Sequence, residues 1–210
     1  MQTVAMSLFD KIMTPSSWLT TLFYKPLYVL RALSIALPWI IRVRASVVKP
    51  RILSFVQALR TSPPPFATDN LKIGAAGFCW GGKYTVFLAA DAPSSRVARH
   101  ASQQSVGIRP LIDCGFTAHP SMVSVPGDID AVTLPLSVII GDHDHAMSGP
   151  LALQTKEILE VKKKGDHEVV IVPGAKHGFA QRTATHDPLQ MEVAQQAEDQ
   201  AIAWFTRWFT

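Results

Sequence analysis

The sequence predicts an α/β protein built on a parallel sheet with helices on both faces, and three observations carry that expectation. From Leu71 onward, short apolar runs alternate with longer amphipathic ones, the pattern of strand–helix–strand units. Glycines cluster just after three of the apolar runs, where the chain must turn away from the sheet. The composition suits a buried sheet: 48% of the 210 residues are hydrophobic and 17% are charged. That is too apolar for a disordered chain and long enough to bury a sizeable core.

Taken in order, residues 1–49 are aromatic and aliphatic with scattered Pro and Arg, which reads as short helices broken at Pro26 and Pro38. Pro50 suits the first position of a helix that lays Ile52, Leu53, Val56 and Leu59 on one face. The run Ser62-Pro63-Pro64-Pro65 ends that helix in a stiff loop. Residues 1–62 are therefore expected as a helical, lid-like segment and 63–210 as the catalytic core of one domain. In the core, Ile73 to Ala76 reads as the first strand, followed by a turn and a helix to about Ala90. Leu111 to Phe116, Leu136 to Ile140 and Val169 to Val172 read as three further strands. Leu151 to Lys164 reads as a helix. A last helix from about Met191 puts Ala197, Ala201, Trp204, Phe205, Trp208 and Phe209 on one stripe. Crossovers are expected to be right-handed.

Charge divides the chain unevenly. Residues 1–70 hold eight Lys/Arg against two acids, and the other 140 hold twelve against fourteen. A basic first third suits an anionic substrate or surface, or simply a solvated helical face. The stretch Trp18 to Ile41 is apolar but interrupted by Lys25, Pro26, Arg31 and Pro38, so no stable membrane span is expected. Asp10 and Lys11 spoil a secretory signal, and two cysteines are too few for a disulfide scaffold. A cytoplasmic location is the expectation, with binding at a membrane surface the weaker reading of the basic apolar segment.

Functional groups of open parallel sheets collect at the carboxyl ends of strands. After the first strand comes Gly77-Phe78-Cys79-Trp80-Gly81-Gly82, which has the spacing of a nucleophile elbow with cysteine as the nucleophile. Such a turn presses together the residues two before and two after the nucleophile, so Gly77 and Gly81 are expected to be the small residues it needs. Cys79 would stand at a helix N-terminus, where thiolate is favoured, with the Trp80 backbone N–H near a developing oxyanion. After the third strand comes Gly141-Asp142-His143-Asp144-His145, and after the fourth Gly174-Ala175-Lys176-His177-Gly178-Phe179. Nucleophile, acid, histidine is the order of α/β-hydrolase triads, with Asp142 and Asp144 both available as the acid.

These motifs, with Phe116-Thr117-Ala118-His119-Pro120 and Lys176-His177-Gly178-Phe179-Ala180, resemble the dienelactone hydrolase family, and its fungal branch most closely. The resemblance runs from about residue 10 to the C-terminus and covers a helical insertion placed at residues 10–60. It implies an α/β-hydrolase fold with Cys79 as nucleophile, His177 as base and Asp144 as acid. It also implies that Arg182 meets a substrate carboxylate; His119, placed near the site mouth by its loop, and Phe179 are the other candidates for substrate binding. The implied substrate is a small ester or lactone of the enol-lactone type, anionic where Arg182 is used, and no cofactor is implied. Members of the family begin with further strands ahead of the insertion, so the sheet is expected to be shortened at its N-terminal side. That would leave one edge of the nucleophile strand open, a route to homo-oligomers. The alternative function is a catalytically impaired remnant that binds a ligand or partner.

Other residues carry less. Asp142-His143-Asp144-His145 could share an ion only if alternate side chains faced one way, and no metal is expected. His119 is also readable as a structural histidine and Cys114 as packing. Lys162-Lys163-Lys164 suits a solvated helix end. No phosphate cradle or nucleic-acid motif is present, so no nucleic-acid partner is expected.

Overall fold

The structure is a computed structural model that describes Lys11, Ser17 and residues 20–104, 107–162, 166–181 and 187–210. It divides into two compact units, Met1–Ser54 and Phe55–Thr210.

In the first unit, one π-helical turn at Thr20–Tyr24 leads into α1 (Lys25–Val43). Pro26 lies in the first turn, where its missing N–H would have had no helical partner. Pro38 does not break the helix as the sequence suggested: it lies inside α1. Its missing donor removes a single bond, to the carbonyl of Ser34, from a 19-residue helix. Arg44, at φ −58° and ψ 146°, makes the break instead. It starts α2 (Ala45–Thr61), in which Pro50 is again internal rather than first.

The second unit holds four parallel strands, β1 (Gly74–Phe78), β4 (Cys114–Ala118), β5 (Leu136–His143) and β6 (His167–Lys176), in the order β1-β4-β5-β6. The sequence did not show β2 (Val97–Ala98) and β3 (Ile108–Arg109), a two-residue antiparallel pair. The helices are α3 (Trp80–Ala89), the short α4 (Gly127–Asp130), α5 (Gly149–Lys162) and α6 (Pro188–Phe209). Asp187 caps α6, its carboxylate accepting from the N–H groups of Leu189 and Gln190.

Period-two alternation decides what lies on each face of the sheet. Leu136, Val138 and Ile140 of β5 pack with Val86 and Ala89 of α3 and Leu159 of α5. Ile139 faces the other way, with Cys114, Phe116 and Ala118 of β4 and Ala197 and Trp204 of α6. The polar exception on that second face is buried Ser137, whose hydroxyl accepts from the Gln200 amide of α6 at 2.8 Å. This divided core brings the carboxyl ends of β1, β5 and β6 to one rim.

The strand entrances are tied from below by Arg60, 2% exposed. Its guanidinium donates to the carbonyls of Leu111 (3.0 Å) and Leu71 (2.9 Å) and to the Asp113 carboxylate (2.6 Å). Arg99 and the Ile73 N–H also donate to that carboxylate. A buried charge is tolerated only when paired and bonded in this way. Lys162 is likewise less solvated than its sequence context suggested, since its ammonium donates to the carbonyls of Asp130 and Val132. Lys163 and Lys164 lie outside the described residues.

Among the described residues, β1 pairs only with β4, and no strand meets its other edge. The contrast in burial follows: all five residues of β4 are buried, whereas of β1 only Gly77 is.

Candidate active site

The turn from β1 into α3 is as tight as its spacing implied. Cys79 sits at φ 51° and ψ −119°, a left-handed backbone that a cysteine adopts only when its surroundings force it. The turn is held from three sides: the Cys79 N–H donates to Ala118 O (3.3 Å), while Gly82 N–H and Ser121 N–H both donate to Cys79 O (3.0 Å each).

The small residues are not the pair that the spacing suggested. A methyl group at Gly77 would meet the Thr85 hydroxyl and lie 2.6 Å from Gly81 O. A methyl at Gly82 would collide with Thr117 and lie 2.8 Å from Pro120 Cβ. At Gly81 it would meet nothing within 4 Å. Gly81 therefore satisfies the spacing without being needed by it; Gly77 and Gly82 are the needed pair. Gly77→Ala is expected to lower stability in urea by about 2 kcal/mol, as the turn opens against backbone that cannot yield. Gly81→Ala, in the first turn of α3, should be neutral or stabilise by up to about 1 kcal/mol. Equal losses for the two variants would contradict this geometry.

Three side chains meet above the turn. The His177 Nε2 lies 3.0 Å from Cys79 Sγ, and its Nδ1 lies 2.9 and 3.0 Å from the two oxygens of Asp144. The structure thus separates the two aspartates. Asp142 Oδ1 accepts from the Gly174 N–H at 2.7 Å and anchors β6. Asp144 is 2% exposed and also accepts from the N–H groups of Ala146 (2.7 Å) and Met147 (3.3 Å). The two aspartates are thus engaged separately, and no group of three or more His, Cys, Asp or Glu side chains that could hold a metal ion is found among the described residues. His177 follows directly on β6, which continues through Lys176, and Gly178 takes φ 90° to turn the chain away. The imidazole is delivered directly by a strand end.

The electrostatics are reciprocal. Burial pushes the Cys79 thiol up, but hydrogen bonds from His177 and Ser121, the His177 charge and the Trp80 N–H together hold it below its ordinary value. The Asp144 hydrogen bond raises His177, burial opposes it, and Cys79 raises it further. Burial acts to raise Asp144, yet the bonds from His177 and from the Ala146 N–H hold it below the usual carboxylate range. All three shifts favour thiolate, imidazolium and carboxylate together. Cys114, by contrast, is fully buried in β4, and its thiol is pushed up to about 12 by burial and by Asp113.

The remaining sequence candidates have separate fates. His119 is fully buried, and its ring stacks edge-on against His177 (5.1 Å between centroids) and Phe179 (5.5 Å). His119 therefore backs the His177 imidazole from within, with buried Phe179 against its own ring. His145 approaches the same ring, at 4.9 Å. Arg182 lies outside the described residues. Sequence reasoning missed Ser121, whose hydroxyl stands 3.7 Å from Cys79 Sγ. Only the turn-forming His-Pro-Ser after β4 hinted at it. His119 (φ 39°) and Met122 (φ 58°) flank that turn with left-handed backbone.

Comparison with known proteins gives relatives and a family. Hydrolase pyvD of Aspergillus violaceofuscus is 26% identical over 137 residues, covering 65% of this chain and 48% of its own. Hydrolase tropI of Talaromyces stipitatus is 27% identical over 137 residues, covering 65% and 46%. The chain thus spans about half the length of the curated relatives it matches. Among solved structures, a dienelactone hydrolase-like promiscuous phosphotriesterase from metagenomic libraries superposes with a TM-score of 0.53 at 18% identity, covering 85% of this chain and 68% of that one. That likeness is one of fold: a parallel sheet flanked by helices, of the α/β-hydrolase kind. The model of the dienelactone hydrolase family matches residues 40–210, which include every side chain that meets above the elbow. The chain belongs to the dienelactone hydrolase family.

Proposed function

We propose that the chain hydrolyses small carboxylic esters or lactones, of the enol-lactone type, through a covalent intermediate on Cys79. The observation that carries this reading is the unbroken line Asp144–His177–Cys79, with heavy-atom separations of 2.9 and 3.0 Å. Its atoms suit a two-step acyl transfer. The Cys79 thiolate attacks the carbonyl carbon, and the Trp80 N–H is positioned to meet the oxygen that becomes negative. His177, as imidazolium, gives its Nε2 proton to the departing oxygen, leaving a thioester. It then takes a proton from water, which attacks the thioester and releases acid and thiolate. Asp144 holds Nδ1–H throughout, so that Nε2 is the nitrogen facing sulfur. A thiolate is a good leaving group, so activated esters and enol lactones partition forward better than amides.

Alkylation of Cys79 across pH tests the state of the nucleophile. Because hydrogen bonds hold the thiol below its ordinary value, the reactive fraction should persist at pH below about 8.5 and fall only as pH drops through the lowered value. Ser121→Ala removes one of the two side chains bonded to sulfur and should move that fall to higher pH. An onset at the ordinary thiol value in the unaltered chain would argue against an activated nucleophile.

The open edge of β1 favours a second reading, in which the fold binds a partner strand without turnover. In that case Cys79 labels as an ordinary thiol, and partner binding survives its replacement.

A further inference from the structure

The described helix that owes least to the reaction is α1. All but its last four residues precede residue 40, where the family match begins. It is also the most peculiar in charge. From residue 12 to residue 68 the chain has seven Lys/Arg and no Asp or Glu.

At 100° per residue, α1 carries three distinct faces. Val29, Leu30, Leu33, Leu37, Ile40 and Ile41 fall within one arc of about 120°, and every one of them is exposed. Beside it runs a narrow polar stripe, Arg31, Ser34, Pro38 and Arg42, also exposed. The third face, which includes Tyr28, Ala32, Ile35 and Ala36, is half-buried. A continuous apolar arc left open to water is costly, and a stripe of arginines alongside it states what kind of surface would cover it.

We propose that α1 lies in the plane of an anionic lipid bilayer surface, its apolar arc in the acyl boundary and its arginine stripe among the headgroups. Thr20–Val43 is long and apolar enough to cross a bilayer by length and composition, an 18-residue window of it having mean hydropathy 1.4. A crossing would leave Arg31, twelfth of those 24 residues, at the hydrocarbon centre, the costliest depth for a charge. Lying flat removes that conflict, since Arg31 and Arg42 are three turns apart on one side and reach the interface together. The complete absence of acids over residues 12–68 means that nothing in the segment repels anionic headgroups.

The test is flotation of the full chain with vesicles of phosphatidylcholine alone and of phosphatidylcholine mixed with phosphatidylglycerol. Binding should require phosphatidylglycerol and weaken as salt is raised. Each cation near such a surface contributes about fivefold to partition, so Arg31→Glu with Arg42→Glu should cost at least roughly 25-fold. Arg31→Lys with Arg42→Lys should retain binding. Leu33→Asp with Leu37→Asp should abolish it while leaving thermal unfolding of the core in place. The proposal is overturned by no flotation with the mixed vesicles, or by equal flotation with neutral ones. Resistance of bound protein to alkaline extraction would overturn it in favour of a span. Vesicle-independent dimers dissolved by the Leu33/Leu37 variant would assign the arc to a second copy of the chain instead.

Discussion

Cys79→Ala should reduce turnover of an activated aryl ester by about 10⁴-fold or more, to the level of the uncatalysed reaction plus whatever the oxyanion donor supplies. Removing sulfur leaves no atom in the elbow that can form the covalent intermediate. Cys114 cannot substitute, because it lies fully buried in β4 with its thiol pushed up to about 12. The fold should survive the change. The left-handed backbone at residue 79 is held by backbone bonds to Ala118, Gly82 and Ser121, none of which uses the sulfur. Cys79→Ser puts a hydroxyl in place of the sulfur that lies 3.0 Å from His177, yet an alcohol is far harder to ionise than a thiol. It should recover only a small part of the rate. Undiminished hydrolysis by Cys79→Ala would move the chemistry elsewhere in the chain.

Asp144→Asn should lower kcat by about 10³- to 10⁴-fold with little change in KM. The change keeps an oxygen to receive the Ala146 and Met147 N–H groups, so the loop after β5 retains its ties. What it alters is the imidazole. An amide nitrogen at Nδ1 donates instead of accepting, which puts the neutral ring's proton on Nε2, where a base is needed. It also removes the carboxylate that is the largest influence raising His177. The sign follows: His177 then loses its proton at lower pH, the thiolate loses its cationic neighbour, and the alkylation onset of Cys79 moves upward. A unit of such shift corresponds to about 1.4 kcal/mol. Asp142→Asn supplies the control, since Asp142 accepts from the Gly174 N–H and, among the described residues, has no bond to the imidazole. Equal losses for the two aspartates would contradict their separate placement.

The side chains that meet above the elbow were legible in the sequence because each is announced within a few residues. Gly-x-Cys-x-Gly, the aspartates after β5 and the histidine after β6 are local signatures, and parallel topology brings those strand ends to one rim. What escaped was set by distant partners. The Ser121 hydroxyl matters through a sulfur 42 positions away. Arg60 is not singled out by the sequence at all, because the carboxylate that receives it, Asp113, lies 53 positions later. Spacing also misled at Gly81, where the structure shows open space and shifts the steric demand to Gly82 beside Pro120. Pro38 and Pro50 read as boundaries because proline disfavours a helix interior, but the loss of one bond each did not outweigh the helices around them. The shortness of β2 and β3, two residues apiece, left no period to detect.

The central claim is that Cys79 carries the acyl group, and intact-mass and peptide mass spectrometry of the chain quenched during turnover of an activated ester tests it most directly. The account predicts the mass of one acyl group on the peptide containing Cys79, absent from Cys79→Ala and accumulating in the Asp144→Asn variant if water attack slows more than acylation. An acyl group found on Ser121 or on any other residue, or turnover with no adduct on Cys79 under conditions that trap thioesters, would contradict it.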